Sequence, residues 1–166
     1  MGNRQRCFVL VLFMMASPFS LACAAGSNGG ETAVADTLER ERIHAGLMQL
    51  GIAQGYVIVV GDRCDRVETT AAEMMQRFLG KASVRADIVP ESQAPGGKRI
   101  LLGRESSLKA IKDLGDKDAV TIRDVSALDD GFHLKKVGKD IVVAGANPRG
   151  VLYGVYAFED FVTSGA

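Results

Sequence analysis

The sequence predicts an α+β fold, resembling an α/β sandwich, in which helices pack on a mixed β-sheet. Short apolar runs rich in β-branched residues alternate with longer segments whose apolar residues recur at helical spacing. Two of the runs, 131–136 and 140–144, are separated by only three residues that include Gly138, a spacing typical of a β-hairpin. One hairpin among alternating strands and helices implies both parallel and antiparallel pairs.

The clearest predicted strand is 56–60 (YVIVV), a continuous apolar run between two glycines. Such a run is typical of a strand that is buried on both faces of a sheet. The other predicted strands, besides the two of the hairpin, are 84–89, which Pro90 ends, 99–102, and a short edge strand at 119–122.

Three helices are predicted between and after these strands. Asp65 and Glu68 form a capping box before a helix at 67–79, which Gly80 ends in the left-handed conformation. A second helix begins at about Ser106 and stops at Gly115. The last helix, 148–162, begins at the favourable pair Asn147-Pro148, and its core stripe is Val151, Val155, Phe158 and Val162.

The first 24 residues are typical of a secretory signal peptide: arginines at the start, an apolar run from Cys7 to Met15, and small residues at 22–24. We expect cleavage near Ala24 and a secreted or periplasmic protein; a buried N-terminal helix is the alternative. Lipidation at Cys23 is less favoured, because the preceding residues fit a lipoprotein signal poorly. Residues 25–54 are expected to be a leader, with a helical pattern at 34–50, and residues 55–164 to form the domain.

Charge and cysteine content exclude several classes of function. The 20 basic and 20 acidic residues are balanced and form no long run, so neither nucleic acid nor an anionic membrane is an expected partner. The apolar run near the N-terminus is too short to span a bilayer comfortably. Cys64 is the only cysteine after residue 24, which excludes an internal disulfide or a cysteine-based metal site in the mature chain.

No catalytic, cofactor-binding or metal-binding residue is predicted. The strand-turn-helix at VIVVGDRCD lacks the glycines of a dinucleotide site, and Gly97-Lys98 precedes a strand, whereas a phosphate-binding loop precedes a helix. The adjacent acids Asp129-Asp130 and Glu159-Asp160 point apart and cannot bracket a glycosidic bond. The two histidines, His44 and His133, lack zinc-binding spacing.

The block 140–158 (DIVVAGANPRGVLYGVYAF) resembles the end of the N-terminal domain of family 67 α-glucuronidases and related glycosidases. The shared pattern is a strand ending in Ala144-Gly145, then a helix that opens with Arg149-Gly150 and continues through Tyr153-Gly154. The earlier segments YVIVV, AAEMMQRFLG and RILLG are also similar, so the resemblance covers about residues 55–162. Similar domains precede the barrel of family 20 β-hexosaminidases.

The resemblance implies a β-hexosaminidase N-terminal-domain-like fold and an accessory role in polysaccharide breakdown. The relatives carry their catalytic carboxylates on a following (β/α)8 barrel, which needs about 250 residues. The sequence stops at Ala166, so we expect a truncated, non-catalytic form whose partner is such a barrel. A stand-alone secreted carbohydrate-binding or protein-interaction module is the alternative, and the absence of Trp disfavours carbohydrate binding. A small enzyme is also less favoured.

The last helix supplies the candidate interface. Two glycines four residues apart share one helix face and allow a close approach, either by the domain's own sheet or by a following domain. Three aromatic residues fall outside the core stripe, and their exposure would favour self-association or binding to a barrel-bearing partner. The candidate interface residues are Arg149, Gly150, Tyr153, Gly154, Tyr156 and Phe161.

Overall fold

The computed structural model describes residues 30–52, 55–117 and 130–164. Its strands are β1 (Tyr56–Val60), β2 (Asp87–Pro90), β3 (Lys98–Gly103), β4 (Phe132–Val137) and β5 (Asp140–Gly145). They form one sheet in the order β2-β1-β3-β5-β4. Four strands run parallel, and β4 is antiparallel to β5. The predicted mixed sheet is confirmed.

The helices are α1 (Gly30–Gln49), α2 (Arg66–Lys81), α3 (Lys109–Asp116) and α4 (Pro148–Ser164), with a 3-10 turn at Glu91–Gln93. One core joins α1, α2 and α4 to one face of the sheet, and a smaller core joins α3 to the other face. Within the described ranges, no helix is long and apolar enough to cross a membrane.

The central strands β1, β3 and β5 bury apolar side chains on both sides, because both faces of the sheet are covered there. In β1, Ile58 and Val60 point into the larger core, whereas Val59 points into the smaller one. The hairpin between β4 and β5 turns at Gly138, whose φ of 60° suits the first central position of a tight hairpin turn.

The residues before β1 take part in the larger core. Ile43 and Leu47, in the second half of α1, are fully buried. Gly46 lets α1 approach α4 closely, since a Cβ at this position would lie 2.1 Å from the carbonyl oxygen of Val162. The helix predicted at 34–50 is therefore present and packed on the domain, and the boundary at residue 55 stays a prediction.

The predicted end of α2 was wrong in position. The helix continues past Gly80, and the left-handed residue is Ser83, with φ 61°. The amide of Ser83 donates to the Gly80 carbonyl, and that of Val84 donates to the Leu79 carbonyl, which is the bonding pattern of a Schellman motif. Val84 belongs to this closure and pairing with β1 begins only at Asp87, so the predicted strand 84–89 is shorter than expected.

The limits of β2 and α3 also differ from the prediction. Pro90 was predicted to follow the strand but is itself the last residue of β2. An edge strand tolerates a proline, because the missing amide hydrogen is not needed for pairing. The carboxylate of Glu91 accepts hydrogen bonds from the amides of Lys109 and Ala110, so α3 starts after Ser106, and it also runs past Gly115. The edge strand predicted at 119–122 lies outside the described residues.

Candidate interaction surface

The start of α4 is fixed to the segment before β4 by three side chains. The Asn147 Oδ1 accepts from the Gly150 amide at 2.9 Å, as the predicted cap requires. The Asn147 Nδ2 also donates to Asp130 Oδ1 at 2.9 Å, and the Nε of Arg149 lies 3.1 Å from the same oxygen. Asp130 therefore orients the helix, and its adjacent partner Asp129 lies outside the described residues.

The two glycines of the candidate interface pack inside the domain. A Cβ at Gly150 would lie 2.4 Å from the Gly131 carbonyl oxygen, and one at Gly154 would lie 2.7 Å from Val143 Cγ1. Both glycines are buried. Both contacts are intramolecular: Gly150 packs on the segment before β4 and Gly154 packs on the sheet, so neither glycine is part of the exposed surface.

The aromatic residues of α4 divide as the sequence predicts. Phe158 is buried with the rest of the core stripe, and its ring meets Phe78 of α2 edge-on, with ring centroids 6.0 Å apart. Tyr153 is 43% exposed, Tyr156 43% and Phe161 42%. That these side chains contact another domain stays a prediction.

The exposed apolar surface continues onto β4, which sequence reasoning missed. Phe132 is 40% exposed, and its Cβ would lie 3.4 Å from a Cβ at Gly154. Farther along, a cleft of about 240 Å³ opens between the strand and the helix. Its lining residues are Leu50, Leu134, Lys135, Lys136, Ile141, Phe158 and Phe161. We call Phe132, Leu134, Tyr153 and Phe161 the β4–α4 flank.

The one fully buried charged side chain among the described residues is Glu68, in the first turn of α2. Its Oε1 accepts from Arg104 Nε at 3.0 Å and from the Ser107 hydroxyl, and its Oε2 accepts from the Asp65 amide at 2.9 Å. The Asp65 side chain accepts in turn from the Glu68 amide, so the predicted capping box is present.

This carboxylate is held in its ionised form. Burial, the largest single influence, raises the pKa of Glu68, but the hydrogen bonds from Arg104, Ser107 and the Asp65 amide together lower it. Both oxygens are occupied by protein donors. The cluster therefore links α2 to the loop after β3 and offers no free base to a substrate.

A polar crevice of about 430 Å³ lies where β1, β2 and β3 end. The carboxyl ends of parallel strands often carry ligand sites. Two of its three acids are engaged: Asp62 accepts from Ser92, whose hydrogen bonds lower the pKa of Asp62, and Glu91 caps α3. The third, Glu105, has one buried oxygen without a partner.

Of the remaining titratable residues considered in the sequence, the pair Glu159-Asp160 lies on α4 and Cys64 lies just before α2. On α4, burial raises the pKa of Glu159, whereas its neighbour Asp160 is exposed. The Cys64 sulfur lies 3.5 Å from the Thr69 hydroxyl oxygen. In the described part of the chain, no group of three His, Cys, Asp or Glu residues is arranged to hold a metal ion.

Comparison with known proteins matches the same region. The profile of the family described as glycosyl hydrolase family 67 N-terminus covers residues 47–158. The fold is similar to the solved structure titled "Structure of CpGH84D", with a TM-score of 0.50 and 16% identity over 67% of this chain. The chain spans only 18% of that chain. No curated protein sequence matches.

Proposed function

Because the chain belongs to the glycosyl hydrolase family 67 N-terminus, we propose that it serves a secreted, α-glucuronidase-like enzyme of polysaccharide breakdown. In this proposal the domain is non-catalytic and packs against the (β/α)8 barrel that performs the hydrolysis. The barrel belongs either to the same polypeptide or to a separate one.

The outward face of α4 is the observation that carries the proposal. Tyr153 and Tyr156 are three residues apart, so their side chains are neighbours on the helix surface, and Arg149 lies one turn before Tyr153. Tyrosine and arginine are enriched among residues that dominate protein–protein binding. All three are exposed in this chain. We therefore assign the barrel contact to Arg149, Tyr153 and Tyr156.

The state of the carboxylates supports a non-catalytic role. Glycoside hydrolysis requires two carboxyl groups that face each other across the bond. Glu68, Asp62, Glu91 and Asp130 are each engaged by hydrogen bonds from the protein's own groups, which leaves Glu105 as the one acid lining the polar crevice that has a buried oxygen without a partner. We expect the purified chain to release no product from aryl glycosides or glucuronoxylan oligosaccharides. Turnover that is abolished by one Asp or Glu substitution would overturn this expectation.

The barrel contact is tested by titration with a family 67 catalytic barrel produced as a separate chain, followed by calorimetry. We expect saturable binding, weakened at least tenfold by Tyr156→Ser because a central aromatic anchor is lost. Thr70→Ser, on the outward face of α2, is the matched control and should bind like the wild type. Absence of binding, or equal binding by Tyr156→Ser, would contradict the proposal.

Secretion is tested separately, by producing residues 1–166 in a secreting host. We expect the exported protein to begin near Ala25, since the small residues at 22–24 fit a cleavage site. A protein that retains residues 1–24, or one whose mass shows a lipid on Cys23, would contradict this part of the proposal.

A further inference from the structure

We propose that the first half of α1 is a salt-sensitive arm, which unfolds as a unit while the second half of the helix stays packed on the domain. We call residues 33–42 the α1 arm. Its boundary is at Ile43, and the ion pair between Glu39 and Lys81 sets how often it opens. The arm involves neither the proposed barrel contact nor the β4–α4 flank.

The two halves of α1 differ in burial. Every residue from 33 to 42 is exposed, whereas Ile43, Gly46 and Leu47 in the second half are buried. A Cβ at Gly46 would lie 2.1 Å from the carbonyl oxygen of Val162, so the second half is in direct contact with α4. Apolar burial therefore holds the second half in place and contributes little to the α1 arm.

The residues of the α1 arm do not form an apolar stripe that faces the domain. Val34 is 60% exposed and Leu38 is 52% exposed. A crevice of about 180 Å³ separates the arm from the end of α2, and charged side chains line most of it. The lining residues are Asp36, Glu39, Arg40, Ile43 and Lys81. The arm therefore lacks the inward apolar stripe by which a surface helix normally packs on its domain.

One ion pair joins the α1 arm to another element of the described chain. The Nζ of Lys81, in the last turn of α2, donates to Glu39 Oε1 at 2.9 Å. The two side chains are 59% and 54% exposed. An ion pair between exposed side chains stabilises a contact only slightly, and dissolved salt weakens it further. The contact between the arm and α2 is therefore weak and depends on the ionic strength.

An arm that loses this ion pair does not remain a stable helix. A helical segment as short as the part of α1 before Ile43 is marginal in water without tertiary contacts. Local unfolding stops at Ile43, because burial in the larger core begins there. The arm thus has two states: a helix held against the end of α2, and an unfolded segment that leaves the crevice beside Lys81 open.

The experiment is hydrogen–deuterium exchange of the purified chain, measured by mass spectrometry at low and at high concentrations of NaCl. We expect the amides of residues 33–42 to exchange together, at least about tenfold faster than those of 43–49. Lys81→Ala and high salt should each speed the exchange of the arm by about two- to fivefold and leave 43–49 unchanged, because each removes an exposed ion pair. High salt should have no further effect on the arm in Lys81→Ala.

Glu39→Gln breaks the same ion pair from the other side and should speed the exchange of the arm as Lys81→Ala does. Lys112→Ala is the matched control, since it removes an exposed lysine from α3, on the other face of the sheet, and should leave the arm unchanged. An arm that exchanges as slowly as 43–49 overturns the proposal. So does an arm whose exchange does not respond to Lys81→Ala. Failure of barrel binding in the earlier titration leaves this result unaffected.

Discussion

The helices α2 and α4 lie side by side on one face of the sheet, and the inward face of each packs into the same core. Each buries an apolar stripe, and the stripes meet where Phe78 touches Phe158. Their outward faces differ. The exposed residues of α2 are Arg66, Thr69, Thr70, Glu73, Arg77, Gly80 and Lys81. Those of α4 are Arg149, Tyr153, Tyr156, Asp160, Phe161, Thr163 and Ser164, so only α4 exposes aromatic rings.

The arginine that binds a carboxylate at the start of each helix is also more exposed at α4 than at α2. At α2, Arg104 bonds the fully buried Glu68, and the arginine side chain is 24% exposed. At α4, Arg149 pairs with Asp130 while its side chain is 66% exposed. The arginine–carboxylate pair at α2 therefore mainly holds the domain together, whereas at α4 much of the arginine side chain remains accessible to solvent. The comparison teaches that two helices with equivalent inward stripes can present different side chains to solvent.

The largest expected difference is between the two arginines. Arg104→Ala leaves the Glu68 carboxylate buried without its cation and should lower the free energy of unfolding by about 3–5 kcal/mol. Arg149→Ala removes a largely exposed pair and should cost less than about 1 kcal/mol. Urea unfolding at neutral pH measures both. Equal losses of unfolding free energy for the two variants would contradict the contrast between the buried pair at α2 and the exposed pair at α4.

The glycines give a second, smaller contrast. Gly150→Ala forces a Cβ against the Gly131 carbonyl and should lower the free energy of unfolding by about 1–3 kcal/mol. Gly80→Ala, on the outward face of α2, meets nothing within 4 Å and should raise the free energy of unfolding by up to about 1 kcal/mol. Thermal and urea unfolding of the two variants should move in opposite directions.

The pH dependence of the free energy of unfolding tests whether the buried Glu68 is ionised in the folded protein. Because the pKa of Glu68 is lower in the folded protein, the unfolded chain takes up the proton first as the pH falls. The stabilising contribution of the Glu68 carboxylate is therefore complete above the ordinary pKa of 4.5 and is lost at lower pH. The difference in unfolding free energy between wild type and Glu68→Gln should be constant at neutral pH and shrink in acid. A constant difference down to acid would contradict the proposed ionised link.

The smallest effect on folding is expected at the outward face of α4. Tyr156→Ser should change the free energy of unfolding by less than about 1 kcal/mol, since the ring is nearly half exposed. Thr70→Ser at the matching face of α2 should change it as little. Chemical denaturation tests both, and a large loss for Tyr156→Ser would show that the ring serves the domain's own core.

Local signals in the sequence predicted most of the secondary structure. The capping box at Asp65, the cap at Asn147, and the buried stripe of α4 are each encoded within a few residues. Helical periodicity also separated the exposed aromatic residues from the core. These features are predictable because caps and amphipathic stripes depend on residues one or two turns apart.

The sequence by itself therefore determined the mixed α+β class, the inward stripe of α4 and its outward aromatic residues. Only the tertiary structure decided that Gly150 packs on the segment before β4 and Gly154 on the sheet. It also decided that Glu91 caps α3 and that β4 is an edge strand whose Phe132 extends the exposed surface. The link between Glu68 and Arg104 joins residues 36 positions apart. Periodicity specifies which side of an element is buried, but the neighbour that buries it comes from a distant part of the chain.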